Sequence, residues 1–273
     1  MNKDSTSMAE RRSGYVVNRC PTCDSSSIEV LYPDINVWTC SACHMRFRNP
    51  QPTEDDLILF YNGAFGTENV VTHKTGMEGT TAELARQYVA HLEAKVGIAG
   101  KKVMEFGAGL GITCRALRDH GADVTAVEPF AWRECEKLGI TTYRSLDELP
   151  PDLKFDAILS LQVVEHLCSP QSVLRGLRDR LQSGGWLYLA TPNAGGLRAR
   201  LHGSRWKELA RYGHVLFYSP STLETALRQA GFRECTRVRE HVRYTQNPAK
   251  NLAQYALQVA GLEGELRYLA REA

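Results

Sequence analysis

The stretch from Lys101 to Gly111, KKVMEFGAGLG, constrains this chain more than any other. Val103, Met104 and Phe106 predict a short buried strand after Gly100 and two lysines. Gly107, Gly109 and Gly111 predict a tight turn, and Ile112 to His120 a helix leaving it. A strand that runs through glycines into a helix is how an α/β protein seats a nucleoside. The glycines let the backbone approach a ligand with no Cβ in the way.

The dinucleotide fingerprint G-x-G-x-x-G requires glycine at the position of Ile112. The chain instead places an acid two residues before the first glycine, as Glu105-x-Gly107-x-Gly109-x-Gly111. A carboxylate there favours a cationic ligand, and S-adenosylmethionine (SAM) carries an ammonium and a sulfonium. Taken alone, the glycine run also fits a βα turn that binds nothing. Ala122 to Phe130, ADVTAVEPF, predicts a second strand that ends at Glu128, 21 residues after Gly107. An acid at that tip accepts hydrogen bonds from both ribose hydroxyls, in NAD as in SAM.

The motifs that follow keep an order. They are Leu146-Asp147-Glu148-Leu149-Pro150, Phe155 to Ser160, Val163-Val164-Glu165-His166-Leu167 and Gly184 to Asn193. Beyond them come His214 to Ser219, Thr222-Leu223 and Ala230-Gly231-Phe232. Together they resemble the class I SAM-dependent methyltransferases over roughly residues 80 to 245. The last group is similar to the small-molecule and sugar subgroup. The resemblance implies a Rossmann-like, seven-stranded, mostly parallel sheet with helices on both faces. It implies SAM as cofactor, held by Glu105, Gly107, Ala108, Gly109, Gly111, Glu128, Pro129, Asp147 and Gln162. Alternating strands and helices along the chain independently predict a mostly parallel sheet, with ligands at the carboxyl ends of its strands.

Two C-x-x-C knuckles, Cys20/Cys23 and Cys40/Cys43, stand sixteen residues apart near the N-terminus. This spacing predicts a four-thiolate zinc ribbon with short strands around Pro33-Asp34. With four protein ligands the metal is structural, because no coordination position stays open. Cys114, Cys135, Cys168 and Cys235 are scattered and read as reduced thiols.

The 273 residues suffice for one large α/β domain plus a small module, and 43% of them are hydrophobic. The expected division is a disordered tail (1–14), zinc ribbon (15–50), linker or lid (51–80), SAM-dependent core (81–245) and C-terminal helix (246–273). A net charge of +2 argues against a field that gathers nucleic acid or membrane. The polar N-terminus lacks an apolar signal core, so a cytoplasmic location is expected. Phe47 to Pro52 reads as an extended linker, and Thr53 to Asp56 as the cap of a short helix. The glycine-rich stretch 62–79 reads as a lid or a plain linker, with Tyr61 and Phe65 as contacts for SAM or substrate. Arg198, Arg200, His202, Arg205, Lys207 and Arg211 suit an anionic substrate or simply a solvated helix. The last segment brings apolar residues from Leu252 to Leu269 to near-helical spacing, either against the core or as a homodimer face.

A hydroxyl or activated-carbon nucleophile must lose a proton, and a histidine serves near neutrality. His214 heads the segment that resembles the catalytic region of sugar and other small-molecule methyltransferases, which implies a base. Tyr212 lies two residues earlier, whereas related sugar C-methyltransferases place a tyrosine three earlier. His166 closes Gln162-x-x-Glu165-His166, where related quinone-type O-methyltransferases carry a glutamate first and bind a divalent cation. The resemblance thus implies methylation at oxygen or carbon of a small molecule, a sugar nucleotide or secondary-metabolite intermediate. An rRNA or tRNA methyltransferase and a non-catalytic SAM-binding scaffold remain as alternatives.

Overall fold

The computed structural model describes residues 14–65, 78–239, 242–243, 245 and 247–272. Most of the expected tail (1–13) and of the expected lid (66–77) lies outside the described residues.

The glycine-turn strand is β4 (Lys102–Phe106), at the heart of a seven-stranded sheet. Its partners are β5 (Asp123–Val127), β6 (Thr141–Tyr143), β7 (Phe155–Leu161), β8 (Leu181–Pro192), β10 (Glu234–Arg237) and β11 (Glu265–Arg271). The order is β10-β11-β8-β7-β4-β5-β6. Pairs from β8 to β6 are parallel, and β11 runs antiparallel to both its neighbours.

Strands this apolar on both sides need cover on both faces. One face packs Val103, Ala157, Leu159 and Tyr188 against α2 (Glu78–Val96), α3 (Ile112–Asp119) and α4 (Trp132–Lys137). The other packs Met104, Ile158, Leu187 and Leu189 against α5 (Pro170–Asp179) and α7 (Pro220–Gln229). Ser219 and Thr222 form a reciprocal capping box at the start of α7.

Two sequence expectations need correction. The segment 246–273 is not one helix: α8 (Pro248–Val259) is followed by β11, which enters the sheet between β10 and β8. Leu266 to Ala270 are all buried there, so tertiary pairing overrides their helix-forming composition. Phe47 is not in a linker. It is fully buried in β3 (Arg46–Arg48), after β1 (Ile28–Tyr32) and β2 (Val37–Cys40) of the cysteine module. The sheet β1-β2-β3 is completed by β9 (Leu216–Phe217), which comes from the core. Cys20, Cys40, Met45 and Phe47 therefore join the same apolar cluster as Leu187, Leu216 and Tyr218.

Candidate active site

The glycine turn has the conformation its sequence requires. Gly107, Gly109 and Gly111 have φ of 79°, 55° and 73°, the left-handed region that side chains disfavour. A Cβ on Gly107 would also collide with the side chain of Val163, and one on Gly111 would lie 2.8 Å from Leu138.

Two acids flank this turn. Glu105 is buried at the end of β4 and accepts from the Cys114 thiol at 3.0 Å. Burial raises its pKa to about 7, outweighing the hydrogen bonds that favour the charge. Glu128 follows β5 and takes three backbone N–H bonds, from Gly109 at 2.7 Å, Phe130 at 2.8 Å and Ala131 at 3.0 Å. It therefore braces the turn as well as standing where a ribose is expected. Ala108 is buried within the turn, and Pro129 is exposed beside Glu128. Asp147 is exposed on the short turn Leu146–Glu148 beyond β6. Gln162, beyond β7, has φ of 58° and donates to Glu265 Oε2 at 2.7 Å. Tyr88 donates to the same carboxylate at 2.8 Å.

The histidines meet beside this mouth. The rings of His166 and His214 stand edge to face, 4.7 Å between centroids. His166 Nδ1 lies 2.8 Å from the Gly213 carbonyl, which can only accept, so Nδ1 carries the proton and Nε2 the lone pair. The Tyr61 hydroxyl lies 2.6 Å from the same Nδ1. The Tyr61 ring packs 5.0 Å from Phe130, two residues past Glu128. This aromatic contact joins the histidines to the segment that follows Glu128. Tyr61 comes from α1 (Glu54–Phe65), and its neighbour Phe60 packs 5.2 Å from Tyr212. A Cβ on Gly213 would strike the Tyr61 hydroxyl, so this approach depends on glycine.

His214 is buried, and burial with His166, Arg211 and Arg48 nearby lowers its pKa to about 3. Its ring is therefore neutral. Its Nδ1 lies 3.6 Å from a carboxylate oxygen of Glu208, which Arg211 also contacts at 2.9 Å. Burial likewise lowers His166 and raises Glu165 to about 8. Glu165 accepts from Thr191 at 2.8 Å through one oxygen, while the other is buried with no hydrogen-bond partner among the described residues. Glu165, His166 and His214 present ligand atoms within 4.8 Å of one another, a set that could hold a cation. Sequence reasoning passed over Glu208, and its place six residues before His214 gives no periodic signal. Of the basic residues after β8, Arg211 approaches this cluster. Arg198, Arg200, His202, Arg205 and Lys207 are exposed.

Cys20, Cys23, Cys40 and Cys43 converge, with Sγ separations of 3.6 Å for Cys20–Cys43 and for Cys23–Cys40. A tetrahedral zinc with bonds of about 2.3 Å places its sulfurs about 3.8 Å apart, so the set fits that ion.

Residues 77–236 match the family model described as a methyltransferase domain. The ubiquinone biosynthesis O-methyltransferase of Pseudomonas aeruginosa (strain UCBPP-PA14) is 31% identical over 115 residues, covering 37% of this chain and 49% of that protein. The chain thus spans about half the length of the curated relatives it matches. A SAM-dependent methyltransferase from Thermotoga maritima, described as a possible histamine N-methyltransferase, aligns with a TM-score of 0.57 at 16% identity. The alignment covers 78% of this chain and 99% of that one. A SAM-dependent methyltransferase from Archaeoglobus fulgidus aligns with a TM-score of 0.55 at 14% identity, covering 76% and 100%. These two likenesses concern the fold.

Proposed function

The chain belongs to the methyltransferase domain family, and from that premise we propose that it moves the methyl group of SAM to an oxygen or carbon of a small molecule. The observation that carries this reading is the bridge from Glu128 through Phe130 and Tyr61 to His166 and His214. In this reading the two histidines serve as proton-accepting groups beside the nucleoside seat.

SAM supplies an electrophilic methyl group. When SAM is bound, Glu105 would hold the cationic methionine end, the glycine turn would admit the nucleoside, Glu128 would take the ribose hydroxyls, and Asp147 would reach the adenine. Ala108, Pro129 and Gln162 would complete the same seat. The acceptor lies against Tyr61, Tyr212 and His166. His214 accepts its proton, and Glu208 stabilises the imidazolium that results. A hydroxyl acceptor is favoured, in keeping with the name of the Pseudomonas relative. A sugar nucleotide or secondary-metabolite intermediate is the substrate class. Cys20, Cys23, Cys40 and Cys43 would hold a structural zinc in the N-terminal module.

Screening hydroxylated acceptors with labelled SAM tests this reading. Label transfer that His214→Ala abolishes while SAM still binds supports it; undiminished transfer removes His214 as the base. A second reading rests on the convergence of Glu165, His166 and His214, which would add a divalent cation to the acceptor site. Metal analysis would then find a second bound ion, lost in Glu165→Gln.

A further inference from the structure

We propose that the cysteine module is a positioning arm for the histidine cluster, with Arg48 as its positioning residue. This rests on the reading of His214 as base.

The knuckle Cys40–Cys43 leads directly into β3, which begins three residues after Cys43. Strand β3 pairs with β9 through Arg46↔Phe217 and Phe47↔Leu216. The Arg48 amide continues this ladder to the Val215 carbonyl at 2.8 Å. Its guanidinium then turns across the preceding loop. Nη2 donates to the Leu209 carbonyl at 2.8 Å and the Arg211 carbonyl at 3.4 Å, and Nε donates to the His214 carbonyl at 3.4 Å. One side chain thus closes residues 209–214 into a fixed ring, and that ring carries Glu208 at its entry and Tyr212, Gly213 and His214 within it.

The ring is tied onward to the other histidine. The Val215 amide donates to the Glu165 carbonyl at 2.8 Å, and the Gly213 carbonyl accepts from His166. Arg46 anchors a second point, donating to the Ala194 carbonyl at 3.3 Å. A guanidinium suits this task because its planar fork donates in several fixed directions at once. Lysine offers one compact charge and cannot hold three carbonyls spread over six residues. The hydrogen bonds that Arg48 donates go to carbonyls of residues 209–215 and to none of the residues placed in the nucleoside seat, which is built on β4 and β5 of the other sheet. The arm therefore sets where His214 and His166 point and leaves SAM binding alone.

The test uses the whole 273-residue chain, zinc-loaded and with labelled histidine. The His214 and His166 imidazole signals are assigned with H214Q and H166Q and followed by NMR, and SAM affinity is measured by calorimetry. In Arg48→Ala, and again in Arg48→Lys should the alanine variant fail to fold, both imidazole signals are expected to move. SAM affinity should stay within about twofold, because Arg48 itself bonds to none of the residues placed in the nucleoside seat. Removing zinc from the wild type with a chelator should move the same two signals. Unmoved signals in a folded Arg48 variant, or after zinc removal, overturn the proposal. A wild type that binds no SAM counts against the methyltransferase reading, and the histidine signals still decide the role of the arm.

Discussion

The Nδ1 of His214 lies 3.6 Å from the carboxylate of Glu208, with both side chains buried. A buried imidazole is a poor proton acceptor unless something stabilises its charged form. Glu208 lies within ion-pair reach of Nδ1, and the proposed mechanism gives it that role. Glu208→Gln keeps the shape and removes the charge. Turnover of a methyl acceptor should fall about a hundredfold, within the usual worth of acid–base catalysis, with SAM affinity unchanged. Steady-state kinetics showing an unaltered kcat would remove Glu208 from the mechanism.

If Glu105 holds the cationic end of SAM as proposed, SAM affinity should depend on pH. Burial raises its pKa from 4.5 to about 7, so below that value the carboxyl of the free protein is largely protonated. A cationic ligand favours the ionised form. Affinity should therefore rise with pH up to about 7 and level off above it, with a proton released on binding in the lower range. The ligand-free protein should lose stability over the rise from 4.5 to about 7, because the unfolded chain gives up this proton first. Calorimetry in buffers of different ionisation enthalpy checks both. Glu105→Gln should bind more weakly and without the slope, and a slope that persists assigns it to another group.

Gly107→Ala should disrupt the SAM seat. The residue sits at φ 79°, which costs an L side chain roughly 1–2 kcal/mol, and its Cβ would strike Val163. Adding Val163→Ala removes the collision and leaves the backbone strain. The double variant should recover part of the thermal stability, as read by calorimetric unfolding. Equal stability of the single and double variants would contradict the steric account.

Gly213→Ala tests the seam between α1 and the histidines. Its Cβ would displace the Tyr61 hydroxyl from His166. Acceptor KM should rise in this variant, and Tyr61→Phe should show a smaller effect of the same kind, since it keeps the ring against Phe130 and loses only the hydroxyl. Unchanged kinetics in both would mean that α1 plays no part in holding the acceptor.

What the sequence made legible was local. The strand-glycine-helix of residues 102–119 shows in periodicity and in left-handed turn residues, which few other sequences tolerate. The cysteine knuckles show through ligand spacing. Strand β11 was hidden because Glu265–Arg271 is rich in helix formers, and only its burial between β8 and β10 makes it extended. Strand β3 was hidden because prolines beside it suggested a linker, while its partner β9 lies about 170 residues away. Glu208 and Arg48 escaped for the same reason. Each acquires its role from contacts made in space, and Arg48 reaches a carbonyl 166 residues on.

The central claim is a SAM seat on the glycine turn, and calorimetric titration of the purified protein with SAM tests it most directly. The account predicts one SAM per chain, with NADH not bound and Gly107→Ala losing most of the affinity. A folded wild type that fails to bind SAM, or a Gly107→Ala variant that binds it equally well, would contradict the account.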